Sequence, residues 1–405
     1  MKKLWTKNFS LLTAASVLGA AGGIASSYAL SFLVYDETGS TLAAALLIAI
    51  RVLPQFILPI IIAPIMDRLP RKPFLVGGDL IACALYCLAG LYLHHYQFSY
   101  VGYLCFSLLI ACIGAMDSLA YTSIYPKLIP EGCEQKGYAV SGMLYPIMNV
   151  LIMPLAAVLM DSIGVGMILL IQSGCSLLAA ITENFIKIEE KNTIKDKKYG
   201  FKQWKTDFLS GIQYLRGEKG LKGMYSYMAF CNGVAMGYSP IMISFFRTTA
   251  GFTAMMYSLF TAFEFLGRTI GGIFHYRFTI RKEHRFRFVF VVYLVYDFMD
   301  SILLWLPYPA MLGNRVLCGF LGINSASMRE ASVQRYIPEE FRARVNAVQE
   351  GFVSAVGSVM ALLIGAAGEW FDQRVVLTGA GALCIVVCFL SIWRNKKHIE
   401  KIYQY

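Results

Sequence analysis

Lysine and arginine fall in every second polar break of this chain. Long apolar runs alternate with short polar stretches from end to end. The break at 36–40 holds no basic residue, and the next holds Arg68, Arg71 and Lys72. The break at 94–99 again holds no Lys or Arg, and the fourth holds Lys127 and Lys136. Loops on the two sides of a lipid bilayer differ in this way, because basic residues are retained on the cytoplasmic side. The pattern therefore sets the solvent of the fold. Most of the backbone must satisfy its hydrogen bonds without water, which leaves helices or a closed barrel.

Composition agrees. Of 405 residues, 57% are hydrophobic and 15% charged, against about 25% charged in soluble domains. The net charge of +11 would suit nucleic acid. Its carriers instead border the apolar runs, where they meet anionic lipid, so a bilayer and not a nucleic acid is the expected partner. Most of the ten cysteines lie inside apolar runs and read as small packing residues. Cys83 with Cys87, and Cys384 with Cys388, each share a helix face. No histidine or third cysteine accompanies either pair along the chain, so neither a metal nor any other cofactor is expected. Lys2, Lys3 and Lys7 precede an apolar run too long for a signal peptide, which reads as a first span.

A bilayer core takes about 20 apolar residues per helix. Twelve segments reach that length, from 9–35 at the start to 374–393 at the end, and no alternating strand pattern competes. The expected fold is all-α, with twelve transmembrane helices in two pseudo-symmetric six-helix bundles. Residues 1–186 form the first bundle, 187–222 a cytoplasmic linker and 223–405 the second. Thirty of the 36 Lys and Arg fall in segments assigned to the cytoplasm, and two, Arg247 and Arg374, fall outside. Both termini of this cell-membrane protein are thus expected in the cytoplasm. Inside the linker, Phe201, Trp204, Phe208, Leu209, Ile212 and Leu215 recur at helical spacing. They read as an amphipathic helix on the membrane surface, with a solvated linker as the alternative.

No phosphate loop, metal-ligand spacing or nucleophile elbow occurs, so enzymatic chemistry is not expected. What remains is ionisable residues at membrane depth, each costing about 2.5–3.5 kcal/mol on insertion scales. The bases are Arg51, Arg268, Arg315 and Arg329; the acids are Asp117, Glu264, Asp297, Asp300 and Glu350. Glu264 and Arg268 are spaced to meet on one helix face, as a self-neutralising pair or as a functional one. Asp297 and Asp300 also share a face. Two nearby carboxylates resist joint ionisation, which makes them a candidate proton site, or else partners for Arg268 or Arg315. Arg51 is a candidate for an internal ion pair or an anionic substrate group. Deep acids outnumber deep bases by five to four, so at least one carboxylate is expected to lack a cation. Asp117, Glu264, Asp297 and Asp300 are therefore the candidates for proton coupling. Tyr121, Tyr145, Tyr225 and Tyr238, with Asn149, Asn232, Asn314 and Asn324, suit the wall of a cavity for a large amphipathic ligand. For any single tyrosine, ordinary packing or an interfacial belt is the alternative reading.

One loop carries a motif. Ala63-Pro64-Ile65-Met66-Asp67-Arg68-Leu69-Pro70-Arg71-Lys72, followed by Gly77-Gly78-Asp79, resembles the Asp-Arg-x-x-Arg signature of the major facilitator superfamily. The resemblance implies that Asp67, Arg68, Arg71 and Asp79 form a conformational latch. Here Ala or Pro replaces the usual Gly before the Asp, and Pro70 the mid-loop Gly. Further segments are similar to the macrolide-efflux and enterobactin-exporter branch. They are Val34-Tyr35-Asp36-Glu37-Thr38-Gly39-Ser40, Tyr125-Pro126-Lys127-Leu128-Ile129-Pro130-Glu131, Ser210-Gly211-Ile212-Gln213-Tyr214-Leu215 and Ile337-Pro338-Glu339-Glu340-Phe341-Arg342. The resemblance implies a monomeric secondary transporter that exports macrolide-like drugs, siderophores or toxic metabolites by proton antiport with alternating access. A lipid or lysolipid flippase, and a non-transporting receptor on the same fold, stay open beside it.

Overall fold

Every long apolar run is helical in the computed structural model, which describes residues 4–66, 70–130, 133–188, 201–277 and 280–404. The helices are α1 (Lys7–Thr38), α2 (Thr41–Met66), α3 (Lys72–His95), α4 (Tyr100–Leu128), α5 (Glu134–Asn184), α6 (Phe201–Gly217) and α7 (Lys219–Thr248). They continue as α8 (Ala254–Arg277), α9 (Lys282–Ile302), α10 (Tyr308–Tyr336), α11 (Glu339–Trp370), α12 (Gln373–Cys388) and α13 (Lys396–Gln404). Among the described residues, eight helices are long and apolar enough to cross a membrane. Polar side chains close several of the ends. The Thr6 hydroxyl accepts from the Phe9 amide at the start of α1, Ser99 from Gly102 at α4, and Asp372 from Arg374 at α12. Each satisfies one of the amides that a helix start leaves open.

The helices do not map one to one onto the twelve expected segments. Two of those segments lie within α5, divided at Gly164, whose φ of 78° only a residue without Cβ adopts freely. Two helices are additional to them: α6, over the amphipathic part of the linker, and α13, beyond the last apolar run. The sequence reading had no element at α13, because its polar residues mask a three-residue apolar seam. Ile399, Ile402 and Tyr403 are buried there against Leu221 and Met224 of α7.

Contacts divide the chain into two units, 1–39 with 50–201, and 40–49 with 202–405. In the first unit α5 packs on both α1 and α3, and α4 packs on α3. Phe9, Leu12, Ile124 and Tyr125 lie in one of its cores, where the Tyr125 hydroxyl donates to the Gly137 carbonyl at 2.6 Å. Arg51, at the first-unit end of α2, donates to the Ser27 hydroxyl at 3.3 Å.

In the second unit the packed pairs are α7 with α11, α8 with α10 and α9 with α12. The opening turns of α2 belong to this unit for a local reason. Glu369, at the end of α11, accepts from the Leu42 amide at 2.9 Å and from the Ser40 hydroxyl at 2.8 Å. A carboxylate is thus set on the positive end of a helix. The Thr41 hydroxyl donates to the Gly365 carbonyl at 2.7 Å. The linker helix is held in the same unit by Tyr214, which stacks on Phe341 with ring centroids 4.9 Å apart. Next to it, the Tyr336 hydroxyl donates to Glu218 at 2.8 Å.

A candidate site in the second unit

Two glycines bring α8 and α10 into backbone contact. A Cβ on Gly319 would collide with the Glu264 carbonyl and stand 2.9 Å from the Arg268 amide. A Cβ on Gly267 would stand 2.8 Å from the Val316 carbonyl carbon. Small residues at a membrane helix crossing permit such an approach. Here its consequence is electrostatic, because the residues beside the glycines are charged.

Arg268 donates to Glu264 Oε1 at 2.8 Å, and the Arg315 Nη1 lies 3.8 Å from Glu264 Oε2. Arg315 Nη2 is ion-paired with Asp300 on α9 and donates to Asn314 Oδ1 at 2.8 Å. The Arg315 side chain is only 2% exposed, whereas Arg268 is 49% exposed. The rings of Tyr238 and Phe260 flank the Arg315 guanidinium at 5.6 and 5.4 Å, a favourable setting for a cation out of water. A buried charge keeps its cost low only when paired and hydrogen-bonded, and Arg315 has both kinds of partner.

Glu264, Arg268, Asp300, Arg315 and Tyr238 line a cavity of about 430 Å³, walled also by Asn232, Tyr293, Tyr296, Asp297 and Arg329. That volume lies in the range of pockets for drug-sized ligands, and its mix of apolar wall with a few polar groups is typical of them. Asp297 accepts from the Tyr227 hydroxyl at 2.9 Å, and Arg329 donates to the Tyr293 hydroxyl at 3.3 Å. Three acids and three arginines therefore face one chamber. Losing or gaining one proton, or admitting one charged ligand, changes its net charge by a full unit.

Of the residues singled out from sequence, Glu264, Asp297, Asp300, Arg268, Arg315, Arg329, Asn232 and Tyr238 meet at this cavity. The Tyr238 hydroxyl is buried there without a hydrogen-bond partner among the described residues. Asn314 and Asn324 serve structure instead. Asn314 braces Arg315 and donates to the Met299 carbonyl, and Asn324 donates to the carbonyls of Gly271 and Phe320. Tyr225 is buried in the core between α7 and its neighbours, and Glu350 is exposed on α11, away from the cavity lining.

The first-unit candidates fall elsewhere. Asp79 on α3, Asp117 on α4 and Glu183 at the end of α5 are electrostatic neighbours. Glu183 was absent from the sequence-based set. Tyr121 packs on Tyr125 at 5.1 Å between ring centroids, Tyr145 is exposed, and the Asn149 amide is spent on the Tyr145 carbonyl of its own helix. Arg71 stands at the N-cap position of α3, half-buried. Asp67 and Arg68 lie outside the described residues. Tyr293 and Tyr296 were also not foreseen. Each stands four residues before one of the two α9 acids, a spacing that could have found them.

Residues 11–296 match the Major Facilitator Superfamily. No curated protein sequence matches the chain. Among solved structures, the nucleoside transporter NupG is similar with a TM-score of 0.69 at 12% identity, over 99% of this chain and 100% of that one. A POT family transporter in complex with a thioalcohol-conjugated peptide gives 0.72 at 12%, over 96% of each chain. A bacterial homolog of the human lysosomal transporter Spinster gives 0.64 at 13%, over 98% of this chain and 96% of that one. Likeness at such low identity shows a shared fold.

Proposed function

The chain belongs to the Major Facilitator Superfamily, and on that premise we propose that it is a twelve-span secondary transporter exporting amphipathic small molecules against inward proton flow. Macrolide-like drugs, siderophores and toxic metabolites are the substrate classes. The segments similar to the macrolide-efflux and enterobactin-exporter branch support this choice of cargo and direction. The observation that carries the reading is the charge balance of the second-unit cavity. Glu264 faces two arginines at once, 2.8 Å from Arg268 and 3.8 Å from Arg315. Ionised Glu264 would accept a cationic or hydrogen-bond-donating part of the cargo, and protonation of Glu264 would remove that acceptor and release the cargo. Proton and cargo thus compete for one carboxylate, so each crosses when the other has left and the two move in opposite directions. Asp117 in the first unit, Asp297 and Asp300 are further proton candidates. Asp67, Arg68, Arg71 and Asp79 are assigned to a latch that biases which side the site faces.

The test is reconstitution of the full chain in liposomes with a pH-sensitive dye, challenged with macrolides, siderophores and cationic dyes. Substrate-triggered proton flux is expected, abolished in Glu264→Gln and Asp117→Asn. Full uphill transport in both variants overturns the coupling assignment. Lipid movement without any proton flux overturns the exporter in favour of a flippase.

A further inference from the structure

The second unit also brings together side chains that the sequence keeps far apart. Cys231 on α7, Asp297 on α9 and Cys384 on α12 place their two Sγ atoms and a carboxylate oxygen within 4.8 Å of one another. All three line the cavity. Cys384 and Asp297 are 3% and 5% exposed. The approach is built into the helices. A Cβ on Gly381 would sit 3.0 Å from the Asp297 carbonyl and collide with Ser301, so α12 lies directly against α9 one turn before Cys384.

From this geometry we infer that the trio is a binding site for a thiophilic divalent cation, with Zn²⁺ as the natural occupant. Two thiolates and one carboxylate are a ligand set that Zn²⁺ takes, at about 2.3 Å to sulfur and 2.0–2.2 Å to oxygen. Ligands on a tetrahedral ion at those lengths stand roughly 3.5–3.8 Å apart. The three ligand atoms, already within 4.8 Å of one another, would need to close by about 1 Å at most. Because all three residues line the cavity, a fourth ligand would be water or cargo entering from it.

The surroundings of Asp297 suit a cation in two respects. First, Asp297 is buried in a membrane helix, and among the described residues no basic side chain pairs with it; its partner is the neutral Tyr227 hydroxyl at 2.9 Å. Such a carboxylate either takes a proton or stays ionised beside a positive charge, and a divalent ion held also by the two thiols would supply that charge in place of the proton. Second, that hydroxyl is itself the kind of outer contact that orients a ligating carboxylate. Two thiolates and a carboxylate on a divalent ion leave one net negative charge, and Arg329 lines the same chamber. Binding releases a proton from each thiol to solvent and involves no electron transfer.

Cobalt titration of the purified full chain, in detergent and under a phosphine reductant, reads this site without reference to transport. One equivalent of Co²⁺ is expected to give thiolate-to-cobalt charge-transfer absorption, bleached by Zn²⁺. Cys231→Ser and Cys384→Ser should each weaken binding by more than a hundred-fold. Tyr227→Phe should weaken it about 10–100-fold, and Cys87→Ser should leave it unchanged. Absence of the band, or its persistence in the Cys231→Ser/Cys384→Ser double variant, overturns the inference. Should the serine variants fail to fold, wild-type protein decides: Zn²⁺ is expected to shield Cys231 but not the exposed Cys105 from alkylation. Equal labelling of both with and without Zn²⁺, or a Cys231–Cys384 disulfide that survives the reductant, overturns it as well.

Discussion

In the second unit, Glu264, Asp300, Arg268 and Arg315 neutralise one another across α8, α9 and α10. In the first, Asp79, Asp117 and Glu183 are set among one another on α3, α4 and α5, and the buried Glu183 Oε2 has no hydrogen-bond partner among the described residues. Both units hold buried or half-buried acids, yet among the described residues arginine is ion-paired only with those of the second. The contrast begins in backbone packing. Gly267 and Gly319 let α8 and α10 touch, which sets Glu264 against Arg315, while on α4 a Cβ at Gly114 would meet nothing within 4 Å. Charge pairing in this fold thus depends on which helices are permitted to approach.

The largest effect should come from Arg315→Met. It strands Asp300 and Glu264 without their shared cation, and removing one partner of a buried pair costs about 3–5 kcal/mol. Unfolding in detergent measures it, and a loss below about 1 kcal/mol would show that solvent in the cavity, not Arg315, neutralises the acids. Next comes the glycine pair of tests. Gly319→Ala overpacks the crossing and should destabilise by about 1–3 kcal/mol. Gly114→Ala, with open space around it, should stabilise by roughly 0.5–1 kcal/mol. Equal effects would break the claim that close approach distinguishes the units. Tyr227→Phe leaves a buried acceptor of Asp297 unmet, at about 1–2 kcal/mol by the same unfolding assay. The smallest effect is expected for Glu183→Gln. It keeps shape and volume and disrupts no ion pair among the described residues, so its change should stay within about 1 kcal/mol. A loss matching that of Arg315→Met would reveal a cation partner for Glu183 and erase the contrast.

Much of the site was legible before the fold. Membrane depth alone singled out Glu264, Arg268, Asp297, Asp300, Arg315 and Arg329, because an ionisable residue in an apolar helix demands an explanation. The Glu264–Arg268 pair followed from helical spacing. The asparagines were less readable. An amide inside a membrane helix can line a cavity or cap a carbonyl, and Asn149 and Asn324 do the second. Glu183 was overlooked because it sits at the end of its helix, where an acid looks solvated; only its packing buries it.

What the sequence alone determined is whatever depends on solvent and on local order. Apolar length and the alternation of basic loops require a multi-pass helical membrane protein, and residues 11–296 carry the family's pattern. What only the tertiary structure decided is pairing across helices. Arg315 could have met any of several acids and meets Asp300 and Glu264. Cys384 looked like one member of a pair with Cys388, and its thiol instead lies beside Cys231 and Asp297. Spacing along one helix fixes which residues share a face. Which faces meet is set by helix crossings, and those rest on a few glycines whose significance is visible only once the neighbouring backbone is in place.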